Sequence, residues 1–303
     1  MRKFIRNILQ KFGYDIIKIN EHSNKKSKRN VNVTVGNYNI IMPGNNPQIS
    51  NYKHYPYMNN QLGRLAKVIA TKYNDLVMVD VGANVGDTIA IVKTFVDVPI
   101  IGIEGDATTY NFLEKNVKQF SNIRIIKQFL GEETKSIKAN LEKDGWNGTI
   151  IPTNEGSSNL ELKTLDDTLH ESALNNLNLK LLKIDVEGFD TIVIRGSNEI
   201  IRKNKPVLYF EYNRENMNAI KEDGIATLLS LVQFGYTNII FFDNKNRYVL
   251  NTDLNNKELI TQLHNYADGF NGMIPYYDIC IFNNDDEDIA ASFLEAEKSS
   301  SDF

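Results

Sequence analysis

The chain has 303 residues, 42% hydrophobic and 24% charged, with a net charge of -4; it can bury a full core, and the lack of a basic field argues against nucleic acid as a partner. Its one cysteine, Cys280, excludes an intramolecular disulfide and reads, within the apolar run 278–282, as a structural thiol rather than a nucleophile. No stretch of 18 apolar residues offers a membrane span and no apolar signal region is present, so a cytoplasmic protein is expected.

Residues 1 to 30 carry nine Lys or Arg against two acids. Phe4, Ile5, Ile8, Leu9 and Phe12 recur there at helical spacing. That pattern suits a helix docked on the domain with its basic face in water, or one resting peripherally on a membrane. The polar stretch 22–30 reads as a linker. Val31, Val33 and Val35 alternate with polar residues, Gly36-Asn37 offers a turn and Tyr38 to Met42 resumes the strand, which predicts a hairpin. After a loop at 53–57 with an exposed His54, the spacing of Leu62, Leu65, Val68 and Ile69 predicts a helix over 61–72.

The run Leu76 to Val81 reads as a buried strand that enters a loop bent by Gly82 and Gly86 and then opens a helix. Asn84 and Asp87 stand where a dinucleotide fingerprint has its second and third glycines. An anionic Asp87 in the first helical turn would face the place of a pyrophosphate, so a positively charged ligand is expected instead. S-adenosylmethionine, with a sulfonium, an ammonium and no phosphate, fits. A second strand, Ile100 to Ile103, ends in Glu104, 22 residues after Gly82. Nucleotide-binding α/β folds place there an acid that accepts from both ribose hydroxyls.

A helix over 108–120 and a strand over 123–130, followed by Gly131, continue an alternation that calls for a doubly wound parallel sheet. Short alternating pieces interrupt it at 132–164. Thr164 then caps a helix with Asp166 and Asp167 in its first turn and His170 on its surface. A strand over 181–185 turns at Glu187-Gly188 into a helix over 191–201, and Pro206 to Tyr212 is the next strand. A helix over 225–234, a strand over 239–242, a turn at 244–246 and a last strand over 278–282 follow. Asp80, Glu104, Asp185, Glu187 and Glu211 all fall at or near carboxyl ends of strands, where open α/β sheets bind ligands. The last stretch, 283–303, carries seven acids against one Lys and is expected to be a tail without fixed structure.

Taken in order, Asp80-Val-Gly-Ala-Asn-Val-Gly86, Glu104, Thr164-Leu-Asp-Asp167, Lys183-Ile-Asp-Val-Glu-Gly188 and Phe210-Glu211 resemble the FkbM-type methyltransferases over about residues 75–215. The resemblance implies a class I S-adenosylmethionine-dependent methyltransferase fold, an α/β three-layer sandwich with a seven-stranded sheet, six strands parallel and the last antiparallel. It implies O-methylation, often of sugar or polyketide hydroxyls. By the same carry-over Asp80, Gly82, Asn84 and Gly86 would line the methionine end of the cofactor, Glu104 the ribose and Gly131 the adenine. Asp185 would stand near the transferred methyl as base, with Glu187 and Glu211 orienting substrate or a magnesium ion. The proline that commonly follows the ribose-binding acid is replaced here by Gly105-Asp106.

The expected organisation is thus an N-terminal helix, linker, hairpin and lead-in helix over 1–74, the methyltransferase domain over 75–283 and the acidic tail over 284–303. The expected partner is a small-molecule or glycan acceptor. A nicotinamide-dependent oxidoreductase or epimerase is disfavoured by the missing glycines. A non-catalytic nucleotide- or partner-binding module is disfavoured by the retained Glu104 and Asp185. Trp146, Tyr209, Tyr212 and Tyr276 are candidates to stack on a sugar ring, against the plainer reading of strand tyrosines as core.

Overall fold

A computed structural model describes residues 29–144, 147–152, 158–174, 176–268 and 274–300. The basic helix expected before residue 29, and Trp146, lie outside the described residues. Strands β1 (Val31–Val35) and β2 (Tyr38–Met42) form the predicted hairpin. A short helix, α1 (Gln48–His54), begins just before the expected loop, and α2 (Asn60–Lys72) buries Leu62, Leu65, Ala66 and Ile69. Strands and helices then alternate as β3 (Val77–Val81), α3 (Asp87–Phe95), β4 (Ile100–Ile103), α4 (Ala107–Asn116) and β5 (Ile123–Ile126). The interruption at 132–164 is a second sheet of β6 (Phe129–Leu130), β7 (Lys135–Asp144), β8 (Asn147–Pro152) and β9 (Ser158–Lys163), in the order β6-β9-β7-β8.

Helix α5 (Leu165–Glu171) starts where Thr164 Oγ1 accepts the Asp167 N–H at 2.9 Å, the cap its sequence predicts. After β10 (Leu179–Ile184) the single expected helix is two, α6 (Asp190–Arg195) and α7 (Asn198–Asn204). The break falls at Gly196, whose carbonyl accepts the N–H groups of Leu165 and Asp166 and whose missing Cβ leaves room for Gly131. The chain continues through β11 (Val207–Tyr212), α8 (Arg214–Ala219), α9 (Ile225–Ser230), β12 (Tyr236–Asp243), β13 (Tyr248–Asp253), α10 (Lys257–Tyr266), β14 (Tyr277–Asn283) and α11 (Glu287–Lys298).

The main sheet has the order β13-β12-β14-β11-β10-β3-β4-β5. Strands β5, β4, β3, β10 and β11 pair parallel, while β14 runs antiparallel to both β11 and β12. This is the class I methyltransferase architecture, six strands one way and the last inserted the other way. One edge strand, β13, joins β12 through the turn read at 244–246 and was not expected.

The acidic tail differs from expectation. Ile289, Ala290 and Phe293 recur at helical spacing, and α11 buries them; Phe293 lies 6.0 and 6.1 Å, centroid to centroid, from Phe242 and Phe282. Glu297, at the same helical spacing from Phe293, accepts from Arg64 Nε of α2 at 2.6 Å. Buried apolar area, not net charge, decides this segment. Among the described residues no helix is long and apolar enough to cross a membrane.

Candidate active site

A cleft of about 380 Å³ lies at the carboxyl ends of the parallel strands. Its first half is built from backbone. At Gly82, φ +73°, a Cβ would stand 1.9 Å from the Asp185 carbonyl oxygen, so only glycine lets β3 turn against the end of β10. Asn84, also left-handed at φ +47°, donates its N–H to Glu104 Oε2 at 3.1 Å, and Asp106 donates its N–H to Glu104 Oε1 at 2.8 Å. Two amides thus fix the Glu104 carboxyl, each oxygen keeping capacity to accept again. Burial outweighs those donors and raises its pKa to about 7. Gly105, Asp106, Thr109, Gln128, Phe129 and Leu130 complete this half.

Three residues assigned to the cofactor from sequence do not line the cleft. Asp80 is fully buried: Lys183 Nζ lies 2.9 Å from its Oδ1 and Thr88 donates to its Oδ2 at 2.5 Å. Lys183 also donates to the Gly82 carbonyl at 3.0 Å, so the pair supports the glycine turn from beneath. Gly86, φ +88°, precedes α3 and packs beneath Leu113. Gly131 donates its N–H to the Lys163 carbonyl and belongs to the strand junction, leaving Leu130 to face the cleft. Asp87 is a fourth correction. It is buried and accepts from the Tyr52 hydroxyl at 2.9 Å, so it does not face a ligand and says nothing about the ligand's charge.

The second half of the cleft is built from side chains. Asp185 directly follows β10, with its side chain 44% exposed and its Oδ2 3.6 Å from Lys183 Nζ. Glu187 holds a left-handed φ of +53°, unusual for a side chain of its kind, and accepts from Asn216 Nδ2 at 2.8 Å. Burial, then the Asp185 charge, raise its pKa to about 7. Asp190 secures the turn by accepting the N–H groups of Val186 at 3.3 Å and Gly188 at 3.2 Å. Glu211, on β11, lies in the cleft with its pKa driven far upward by burial and by Asp185, Glu187, Asp190 and Asp278. Asp185, Glu187 and Glu211 therefore converge as the sequence indicates, while Tyr209 and Tyr212 are buried core and, of the aromatic candidates among the described residues, only Tyr276 reaches the cleft. His54 and His170 are exposed and away from it.

Sequence reasoning missed Asp278, Asn246 and a strap formed by residues 47–59. Asp278 begins β14 and lines the cleft because an antiparallel strand brings its first residues to the rim where parallel strands bring their last. Asn246, φ +62°, donates Nδ2 to Asp278 Oδ2 at 2.8 Å and accepts the Asn59 N–H at 3.0 Å. The strap contributes Pro47, Gln48, Asn51, Met58 and Asn59, and is anchored at the other side where Tyr52 meets Asp87. The only advance signal was the turn chemistry at 244–246.

Six carboxyl side chains line the cleft, Glu104, Asp106, Asp185, Glu187, Glu211 and Asp278, and no Lys, Arg or His does so among the described residues. A cationic or hydroxyl-rich ligand suits such a lining and a pyrophosphate does not. Among the described residues no group of three or more His, Cys, Asp or Glu is arranged to hold a metal ion, so the magnesium reading of Glu187 and Glu211 finds no support.

A family model described as "Methyltransferase FkbM domain" matches residues 3–237. Among solved structures, the methyltransferase FkbM from Methylobacillus flagellatus KT is 19% identical over 46% of this chain and 33% of that one, with a TM-score of 0.34; the chain spans about a third of that structure's length. A putative caffeoyl-CoA O-methyltransferase from Staphylococcus aureus is 13% identical over 78% and 90% of the two chains, with a TM-score of 0.41. Precorrin-6y C5,15-methyltransferase from Geobacter metallireducens GS-15 is 13% identical over 72% and 86%, with a TM-score of 0.35. No curated protein matches the chain.

Proposed function

This chain belongs to the FkbM methyltransferase family, and we propose on that premise that it transfers the methyl group of S-adenosylmethionine to a hydroxyl of a sugar or another small natural product. The observation that carries this reading is the lining of the cleft: a forked Glu104 carboxyl held by two amides at one end, and a crowd of carboxyls at the other, with no Lys, Arg or His lining the cleft among the described residues. Bound S-adenosylmethionine would supply an electrophilic methyl on a cationic sulfur. The residues present fit such a group. Glu104 would accept from the two ribose hydroxyls, the Gly82–Asn84 turn would cradle the amino-acid end, and Gln128 to Leu130 would border the base.

The acceptor would lie over Asp185, Glu187 and Glu211. Asp185, half exposed and beside the Lys183 cation, is the carboxylate best placed to take the hydroxyl proton, and Glu187 and Glu211 would orient the acceptor. Alignment of the reacting atoms supplies most of the acceleration, about 7–11 kcal/mol in well-held systems, and the proton acceptor adds about 10²–10⁴ in rate. A nicotinamide dinucleotide is disfavoured because its pyrophosphate would meet carboxyls and no cation.

Calorimetric titration with S-adenosylmethionine and, separately, NAD tests the reading. We expect binding of S-adenosylmethionine alone, and Glu104→Ala to weaken it by about 10- to 100-fold, the worth of one or two hydrogen bonds to a charged group. Binding of NAD instead, or of neither, would overturn the assignment.

A further inference from the structure

Glu211 and Asp278 are direct partners in the β11–β14 register, and both line the cleft. Two carboxyls directly opposed on neighbouring antiparallel strands repel when both are ionised. Among the described residues their surroundings offer donors but no free cation. Asn213 Nδ2 donates to Glu211 Oε1 at 3.2 Å, and Asn246 Nδ2 and the Tyr209 hydroxyl donate to Asp278. From β10 and its turn, Asp185, Glu187 and the buried Asp190 add negative charge, while Lys183 is engaged by Asp80 and Asp185. The remaining titratable neighbour, Tyr276, keeps its proton because it is buried and the same acids surround it.

We propose that Glu211 and Asp278 read the charge at the cofactor's sulfur, sharing a proton when the cleft holds the neutral thioether and releasing it to solvent when the cleft holds the sulfonium. This rests on the S-adenosylmethionine reading above. Burial followed by the Asp185 charge raises the Asp278 pKa to about 7, and burial followed by the Asp185 and Glu187 charges drives Glu211 upward too, so two opposed carboxyls in one cleft hold a proton that a cation can expel. The reactive, charged form of the cofactor is thereby retained and the spent form is not. Once the methyl has moved to the acceptor oxygen, with the C–S electron pair left on sulfur and the hydroxyl proton on Asp185, the charge that expelled the proton is gone. The pair then regains a proton, by way of Asp185.

Titration calorimetry in two buffers of different ionisation enthalpy, at pH 6, 7 and 8, with S-adenosylmethionine and S-adenosylhomocysteine, tests this on the wild type, Glu211→Gln and Asp278→Asn. At pH 7 the sulfonium should release on the order of half to one proton more than the thioether, and the affinity ratio of the two should rise about tenfold from pH 6 to 8. Either substitution should flatten that ratio while moving thioether affinity by less than about twofold. Equal proton release by the two ligands, a ratio independent of pH, or variants that weaken both ligands alike would overturn the proposal. Binding of neither ligand by the wild type would instead overturn the methyltransferase reading on which it stands.

Discussion

The two halves of the cleft are made in different ways. The half assigned to the cofactor comes mostly from the turns after β3 and β4 and the segment entering β6, and centres on one acid held by two backbone amides. The half assigned to the acceptor draws single side chains from the strap, the end of β10, β11, the β12–β13 turn and β14, and crowds carboxyls of one sign together. Backbone sites are positioned by glycine conformation over short stretches of chain. Side-chain sites depend on the register of strands distant in sequence, and the crowding costs stability that a neutral lining would not.

The sharpest way to separate the halves is Asp185→Asn. The side chain is half exposed and nearly isosteric, so folding and cofactor affinity should hold within about twofold while turnover falls by about 10²–10⁴; undiminished turnover in steady-state assays with calorimetry alongside would remove Asp185 from its role. Next in size is Lys183→Met, which leaves Asp80 buried without its cation beneath the Gly82 turn. A loss of about 3–5 kcal/mol is expected, seen as a melting temperature lower by about 10 °C, and Asp80→Asn added to it should restore most of that loss. A single variant that melts with the wild type would show that the pair does not hold the cofactor half together.

A smaller effect comes from pH. Glu104, Glu187 and Asp278 have folded pKa values of about 7, above the ordinary carboxylate range they recover on unfolding. The folded protein therefore binds more protons in between, and their contribution to stability is fully present below about pH 4 and lost as pH rises through about 7. Without ligand the melting temperature should be a few degrees lower at pH 8 than at pH 5.5, about 2–4 °C for each kcal/mol lost, and S-adenosylmethionine should narrow the gap. A melting temperature that rises over that interval would mean the carboxyls are not desolvated as described.

The division between the halves also explains what was legible in the sequence. Gly82, Asn84 and Glu104 could be assigned because a buried apolar run, a glycine turn and an acid at the next strand end are local signals. The same rule placed Asp185, Glu187 and Glu211 on one rim. It misplaced Asp80, since a strand residue of period two points into the sheet layer as readily as toward the ligand, and the Lys183 that claims it lies on another strand. Asp278 and Asn246 were invisible because strand direction, a property of the finished sheet, decides which end of β14 meets the cleft. In the last segment the helical spacing of Ile289 and Phe293 was present but obscured by the charge count.

Strand β14 lies between β11 and β12 in the sheet yet is made after both. While the ribosome is still adding residues 257–276, the facing edges of β11 and β12 have no partner, and each offers a row of unpaired amides and carbonyls to any neighbouring chain. The strands that carry Glu104 are synthesised before β14, whereas the rim carrying Glu211 acquires Asp278 only when the closing strand is inserted. On the proposed reading the residues that would hold the cofactor are thus synthesised before the rim that would receive the acceptor is complete, and the unpaired edges make the interval between them one of exposure to aggregation.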